Sequence, residues 1–188
     1  MKPGINAVVG DFGSGKTLFL TYLASAYQGK RKVFANFTLF GLDYVPMAIE
    51  DVAKFPDEVR DGIILWDEGH IGLSAYSFFK KDTQNAVVFL SQVRKRNLIV
   101  FWSTQIFKKG VVGLRDHSRY MFTCEALEPP GCSRIRVFDS YQEDQFVNEF
   151  VFDGRQFFDK YDTNEIILPK ADQPKEKQKK SKKVSKCP

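Results

Sequence analysis

Cysteine and histidine are scarce in this sequence of 188 residues, which carries three cysteines and two histidines. Cys124, Cys132 and Cys187 are odd in number and show no close pairing, which argues against both a disulfide framework and a zinc site. His70 and His117 stand alone, without the spacing of metal ligands, so we expect both to be local hydrogen-bonding groups. Any chemistry is therefore expected from other residue types.

The sequence also lacks a long apolar run. No run approaches the roughly 20 residues that span a bilayer. The N-terminal segment MKPGINAVVGDFG has no long apolar stretch of the kind found in signal peptides. We therefore expect no integral membrane segment and a soluble protein in a reducing cytoplasm.

Positive charge is concentrated at the C-terminal end. Residues 169–188 hold eight lysines against two acidic residues and almost nothing apolar, which predicts a disordered, solvated tail. Residues 1–168 are nearly neutral and contain all 18 phenylalanines, which favours one globular domain with a sheet-rich interior. The tail is suited to attract polyanions such as nucleic acid or an anionic membrane, and a purely solubilising role explains it equally well.

Apolar runs bounded by turn residues alternate with helical patterns along the chain. Such alternation predicts an α/β fold with a largely parallel sheet covered by helices. The predicted strands are residues 5–9, 32–37, 62–66, 98–103 and 120–125, and the predicted helices are residues 16–27, 48–55 and 83–96. After the proline pair at 129–130, two shorter runs at 134–140 and 146–152 predict a C-terminal β-hairpin.

A phosphate-binding motif follows the first predicted strand directly. Residues 10–17 read GDFGSGKT, a complete G-x-x-x-x-G-K-T that leads into a helical pattern. Its glycines let backbone N–H groups surround a phosphate, and the N-terminal end of the helix adds its positive dipole. The predicted nucleotide-binding residues are Gly10, Asp11, Phe12, Gly13, Ser14, Gly15, Lys16, Thr17 and Leu18. Lys16 is expected to reach the β- and γ-phosphates, and the Thr17 hydroxyl to bind Mg²⁺.

An acidic pair follows the third predicted strand, at the edge of an α/β sheet where ligands bind. Asp67 is placed to hold Mg²⁺ through water, and Glu68 is suited to polarise an attacking water molecule. Successive residues that leave a strand point in different directions, so the two carboxylates can serve these two roles. No N-K-x-D guanine motif is present, which favours ATP and hydrolysis coupled to mechanical work over a GTPase.

Two further polar features flank the fourth predicted strand. Gln105 ends the triplet STQ after that strand and is expected to face the γ-phosphate if the strand lies between the first and the third. The segment RKRN precedes the strand and contains Arg94 and Arg96. Arginine suits a charge-stabilising finger because its planar fork stays protonated. Arg96 is the first candidate and Arg94 the second, with Arg115 and Arg119 as alternates.

The ordered set GDFGSGKT, IILWDE, RKRN and STQ resembles the FtsK/HerA-like branch of P-loop ATPases. That branch includes viral genome-packaging motors and the zonular occludens toxin-like ATPase domain of filamentous phage assembly proteins. The resemblance covers residues 5–125. It implies a three-layer sandwich with strand order 5-1-4-3-2, with Glu68 as catalytic base, Gln105 as sensor and Arg96, or else Arg94, acting in trans on a neighbouring subunit.

The resemblance also implies a function. The leading hypothesis is an ATP- and Mg²⁺-dependent ring, expected to be a hexamer, that packages double-stranded DNA and works with capsid or portal proteins. Its location would be the host-cell cytoplasm or the virion. Two alternatives stay open: an assembly or secretion motor that acts on protein partners at a membrane, and a nucleotide-binding switch with little turnover. The lack of a membrane segment after the ATPase region favours packaging.

Overall fold

The fold is built on one eight-stranded sheet. In a computed structural model of the chain, residues 1–54, 57–69, 85, 88–109 and 112–167 are described. The strand order is β3-β2-β4-β5-β1-β6-β7-β8. The strands are β1 (Gly4–Val9), β2 (Lys32–Ala35), β3 (Val45–Pro46), β4 (Gly62–Trp66), β5 (Ile99–Thr104), β6 (Ser118–Leu127), β7 (Cys132–Asp139) and β8 (Gln145–Asp153).

The parallel part of the sheet has the predicted order. The five predicted strands correspond to β1, β2, β4, β5 and β6, and reading across the sheet gives 5-1-4-3-2. The central strands β4 and β5 are buried along their whole length, which explains the apolar runs GIILW in β4 and IVFW at the start of β5. In register, Val9 pairs with Thr104 and Trp66 with Trp102. The segments after β1, β4 and β5 therefore begin at one edge of the sheet.

The remaining strands extend the sheet at both ends. β7 pairs antiparallel with β6, and β8 pairs antiparallel with β7, so the predicted hairpin is confirmed with slightly wider bounds. The two-residue strand β3 pairs with β2 at the opposite edge and was not predicted. A strand of that length is too short to give a sequence pattern.

Helical layers cover both faces of the sheet. On one face, α1 (Lys16–Tyr27) packs Phe19 and Leu20 against Phe101 and Phe122. On the other face, Phe89 and the short helix α2 (Val112–His117) pack against the two tryptophans. Trp66 and Trp102 are fully buried, as expected for core residues. The predicted three-layer α/β sandwich is thus confirmed.

The helix predictions differ in accuracy. Helix α1 has the predicted bounds, residues 16–27. The predicted helix at 48–55 is instead a 3-10 helix, Ile49–Lys54, and residue 55 lies outside the described part of the chain. Of the predicted helix at 83–96, the described residues are helical at 85 and 88–91 and form turns from 92 onward, which corrects its C-terminal bound.

After β8 the chain returns across α1 as a segment that we call the strap, residues 155–167. It begins with a 3-10 helix, Arg155–Lys160, that contacts α1. The Phe40 amide donates to the Lys160 carbonyl at 2.8 Å, and Tyr161 forms an antiparallel bridge with Leu39. Glu165 then accepts hydrogen bonds from the Thr38 amide at 2.6 Å and the Thr38 hydroxyl at 3.0 Å. The strap thereby joins the edge beyond β8 to the end of β2.

Two further expectations concern the domain boundary and membrane-spanning segments. The boundary between a domain at 1–168 and a tail at 169–188 stays a prediction, because residues 168–188 lie outside the described part. None of the helices among the described residues has the length and apolar character needed to cross a lipid bilayer.

Candidate nucleotide site

The glycine-rich loop lies between the end of β1 and the start of α1. Gly13 and Gly15 have φ values of 69° and 91°, in the left-handed region that favours glycine. A side chain at Gly15 would also collide with the hydroxyl oxygen of Ser133 in β7. That hydroxyl donates to the Ser14 carbonyl at 2.9 Å. The loop is therefore fixed from its own backbone and from the antiparallel part of the sheet.

Lys16 is buried although it carries a charge. Its ammonium group donates to the carbonyls of Gly10 at 2.9 Å and Asp11 at 2.8 Å. These bonds fold the side chain back over the loop that precedes it. A positive charge is thus placed at the loop, where backbone N–H groups and the N-terminal end of α1 also favour an anion.

The two predicted metal-binding residues are in direct contact. The Thr17 hydroxyl donates to Asp67 Oδ2 at 2.8 Å, and the other carboxylate oxygen, Oδ1, accepts a short hydrogen bond from Ser103. Hydroxyl and carboxylate oxygens are the ligands that Mg²⁺ prefers, usually together with phosphate oxygens and waters. The described residues contain no cluster of three or more histidine, cysteine or acidic side chains able to hold a metal. The donor set therefore fits Mg²⁺ shared with a nucleotide.

Asn36 positions Asp67 and was missed by sequence reasoning. Its side-chain amide donates to the Asp67 carbonyl at 2.8 Å, and its side-chain oxygen accepts from the Asp67 amide at 2.7 Å. This pair of bonds fixes the backbone at the point where the chain leaves β4. Asn36 directly follows β2, so a polar residue after an apolar strand at the same sheet edge was the available signal.

Glu68 has an uncommon backbone conformation. Its φ is 47°, in the left-handed region that non-glycine residues seldom occupy. The Glu68 amide donates to the Ser103 hydroxyl at 2.9 Å, and its carboxylate accepts from the Gln105 amide at 3.3 Å. Such conformations persist where surrounding contacts fix them and are frequent at functional sites. The structure thus brings Glu68 and Gln105 together at the edge where β4 and β5 end.

Arg94 and Arg96 lie at the opposite edge of the sheet. They precede β5, whose six residues carry the chain about 20 Å to the edge where Gln105 lies. Arg96 stacks 4.9 Å from the centre of the Phe89 ring and donates to a main-chain carbonyl, and Arg94 is exposed. Neither arginine reaches the glycine-rich loop of its own chain.

The alternate arginines make local contacts. Arg115 in α2 donates to the Lys108 carbonyl at 3.1 Å. Arg119 lies 3.6 Å from the Asp139 carboxylate and stacks beside the Tyr120 ring. Both residues thus have partners within their own chain, and a role for either at a nucleotide stays a prediction.

The cysteines and the histidine among the described residues are buried or make contacts away from the glycine-rich loop's phosphate-binding groups. Cys124 and Cys132 are buried free cysteines. Burial raises the pKa of the Cys124 thiol to about 12, so it stays neutral at physiological pH. The Cys124 carbonyl lies 2.5 Å from where a side chain at Gly10 would begin. The His117 carbonyl accepts from the Tyr141 hydroxyl, and His70 and Cys187 lie outside the described residues.

A cavity of about 690 Å³ opens over the loop. Its floor is formed by the glycine-rich loop and the start of α1, and one side by Asp67 and Glu68. The adjoining ends of β6 and β7, the turn between them and the strap form the other walls, through residues 126–128, 130–133, 158, 161, 163 and 165–167. The size is in the range of a nucleotide-binding cavity.

Fold and site together define a chain with the P-loop NTPase fold. No protein-family model and no curated protein matches it, whereas solved structures do. The N-terminal domain of zonular occludens toxin from Neisseria meningitidis has 18% identity and a TM-score of 0.64, with 86% of this chain and 100% of that chain covered.

Two nucleotide complexes are also similar. The genome packaging NTPase B204 from Sulfolobus turreted icosahedral virus 2, solved with ATP-gammaS, has 12% identity and a TM-score of 0.53, with 79% of this chain and 96% of that chain covered. The pCW3 conjugation coupling protein TcpA, solved with ATPgS, has 12% identity and a TM-score of 0.56, with 82% of this chain and 62% of that chain covered. The resemblance to FtsK/HerA-type P-loop ATPases is thereby confirmed at the level of the fold.

Proposed function

We propose that this chain is a Mg²⁺-dependent ATPase. One observation carries the proposal: Thr17, Asp67, Ser103, Glu68 and Gln105 form a continuous chain of hydrogen bonds beside the glycine-rich loop. A glycine-rich turn with a purely structural role would not require Glu68 to adopt a left-handed conformation beside Asp67, the predicted metal-binding residue. The solved structures with nucleotide analogues support the same proposal.

The residues divide the work of hydrolysis. The loop N–H groups and Lys16 bind the phosphates. Thr17 and Asp67 would hold Mg²⁺, which would supply positive charge beside the phosphate oxygens. Glu68 accepts a proton from the water that attacks the γ-phosphorus, so that the P–O bond to ADP breaks as the new one forms. Gln105 orients the Glu68 carboxylate and senses the terminal phosphate from the neighbouring strand.

We further propose that hydrolysis drives movement of double-stranded DNA by a ring of copies, in the packaging of a viral genome. The location of Arg94 and Arg96 supports a ring, because an arginine about 20 Å from its own loop can act only on the nucleotide of a neighbour. B204 is described as a genome packaging NTPase, which supports the packaging role. A hexamer that meets a capsid or portal in the host cytoplasm is the assembly we expect.

A second candidate is a virion-assembly or secretion motor acting on protein partners. It is favoured by the zonular occludens toxin domain, which this chain matches over 100% of that domain. Both candidates use the same nucleotide site. They differ in the polymer that stimulates turnover.

The test is steady-state ATP hydrolysis with Mg²⁺, with and without double-stranded DNA, for the wild type and Glu68→Gln. We expect DNA to stimulate the wild type and Glu68→Gln to lower kcat by about 10²- to 10⁴-fold, the range for loss of a general base. Glu58→Gln, an exposed carboxylate remote from the site, is the matched control. If ATP hydrolysis requires Glu68 and its rate is the same with and without DNA, the assembly motor is favoured. Nucleotide binding without turnover in any variant would leave a nucleotide-binding switch.

A further inference from the structure

We infer that Phe158 in the strap is the surface on which the base of the bound nucleotide stacks. The inference rests on the proposed nucleotide binding and adds to it the residue that distinguishes a nucleotide from a bare triphosphate. Phe158 lies far outside the glycine-rich loop and the acidic pair in sequence, and it lines the same cavity as Lys16 and Thr17.

The sheet order sets the direction in which a nucleotide lies. Thr17 and Asp67, the residues that would hold Mg²⁺, meet on the side of the loop that faces β4, so the terminal phosphates of a bound nucleotide would lie on that side. Strand β1 carries the glycine-rich loop and lies between β5 and β6. The ribose and base must therefore extend away from β4, toward β6 and β7.

The cavity on that side is bounded by the turn between β6 and β7 and by the strap. Residues 127, 128, 130 and 131 line it from the turn, and Phe158 lines it from the strap. The edge of the Phe158 ring and the Arg155 side chain lie where a side chain at Gly131 would begin. Gly131 has a φ of 91°. The absence of a side chain at Gly131 lets the aromatic ring approach the turn closely.

Two consecutive phenylalanines in the strap have different surroundings. Phe157 packs into the core, with its ring 5.8 Å from that of Tyr22 and 6.5 Å from that of Phe152. Phe158 points to the cavity and leaves 48% of its surface exposed. The core therefore accounts for Phe157 and leaves a large, accessible aromatic face at Phe158 without a core role.

The position of Phe158 relative to the loop is fixed by close packing. Directly before the strap, a side chain on Gly154 would begin 2.6 Å from the Leu18 side chain, and the 3-10 helix that follows contacts α1. The chain entering the strap is therefore packed against α1 one residue after Thr17. Phe12 also lines the cavity, but 84% of its surface is exposed. A ring held by neighbours loses less conformational entropy on stacking than a nearly free one.

Stacking has a predictable consequence for specificity. Every base has a π-face, and stacking on an aromatic side chain depends little on which base it is. We therefore expect Phe158 to strengthen the binding of ATP and GTP by similar factors. Inorganic tripolyphosphate has no base and gains nothing from the ring.

The experiment is calorimetric titration of the full chain with Mg²⁺ and either a non-hydrolysable ATP analogue or inorganic tripolyphosphate. We expect Phe158→Ala to weaken the analogue about ten-fold and to leave tripolyphosphate unchanged, in keeping with the usual strength of base stacking. Phe158→Trp should restore binding of the analogue, which also shows that the fold tolerates the position. Phe40→Ala is the matched control, since Phe40 is also 48% exposed and does not line the cavity.

The outcomes separate this inference from the proposed function. If Phe158→Ala leaves the affinity for the analogue unchanged, or weakens both ligands equally, the stacking role is wrong while nucleotide binding stands. If the wild type binds neither ligand, the proposed function fails and the inference fails with it.

Discussion

The side-chain amide of Gln105 donates a hydrogen bond to the carboxylate of Glu68 at 3.3 Å, across the ends of two adjacent strands. The bond directs one carboxylate oxygen and leaves the amide oxygen of Gln105 for another donor, such as water. The predicted sensor, Gln105, and the predicted base, Glu68, are thus joined directly by a hydrogen bond. A change at Gln105 should therefore alter catalysis while Glu68 is still present.

We predict that Gln105→Ala lowers kcat for ATP hydrolysis by about 10²-fold, with KM changed less, because an orienting hydrogen bond is lost near the reacting atoms. Steady-state kinetics measure both constants. Gln142→Ala, in an exposed turn after β7, is the control. An unchanged kcat for Gln105→Ala would show that Glu68 needs no orienting partner.

Ser103 serves two residues with one hydroxyl, since it donates to Asp67 and accepts from the Glu68 amide. Ser103→Ala leaves the partly buried Glu68 N–H and a buried Asp67 carboxylate oxygen without this partner, and we expect the free energy of unfolding to fall by about 1–3 kcal/mol. Urea denaturation measures the change. Ser91→Ala is the control: Ser91 is exposed and its hydroxyl donates to the Val88 carbonyl, so this change should alter the free energy of unfolding by less than about 0.5 kcal/mol. Equal effects would mean that the Ser103 bonds contribute little.

The glycines offer a graded test of the loop. Gly15→Ala combines a φ of 91° with a collision against Ser133, whereas Gly13→Ala meets only the cost of a φ of 69°. Gly4→Ala in β1 meets open space and no such φ. We expect nucleotide affinity to be lost in Gly15→Ala, reduced in Gly13→Ala and retained in Gly4→Ala, as measured by calorimetric titration. An order that places Gly13 first would contradict the role of Ser133.

The contact between Thr38 and Glu165 should hold the strap in place. Glu165→Ala removes the acceptor for both the Thr38 amide and the Thr38 hydroxyl, and Thr38→Val removes only the hydroxyl donor. We expect limited proteolysis within residues 155–167 to accelerate strongly in Glu165→Ala and less in Thr38→Val. Glu143→Ala, on an exposed turn, should behave as the wild type. Equal cleavage rates in all variants would show that other contacts fix the strap.

The trans role of Arg96 can be tested by mixing subunits. Arg96→Ala and Glu68→Gln should each be inactive alone, and an equal mixture should regain activity at about a quarter of its interfaces, where an intact Glu68 meets an intact Arg96. Replacing Arg96→Ala by Arg94→Ala in the mixture tests the second candidate. Replacing it by Arg60→Ala, a change at another exposed arginine, is the control. Wild-type turnover by Arg96→Ala alone would reduce Arg96 to a structural residue stacked on Phe89.

Local patterns predicted the strands, the glycine-rich loop and the acidic pair, because each depends on neighbouring residues. The strand order came from the resemblance. What escaped prediction depends on contacts between distant residues: Asn36 bonds to Asp67 across 31 positions, and Ser133 to Ser14 across 119. Glu68, which has a left-handed conformation, is likewise hydrogen-bonded through its amide to Ser103, 35 positions away, and no local pattern reveals this contact. Phe158 has no local signal either, because the sequence alone does not distinguish it from Phe157, which is partly buried against the core.

The strap has a consequence for biosynthesis. Residues 10–17 leave the ribosome early, but the cavity above them gains its last wall only when Glu165 reaches Thr38. At about 5–20 residues per second, roughly 7–30 s of translation separate the two events. A nascent chain therefore carries a nucleotide cavity with one wall missing until the strap has been made, long after the glycine-rich loop.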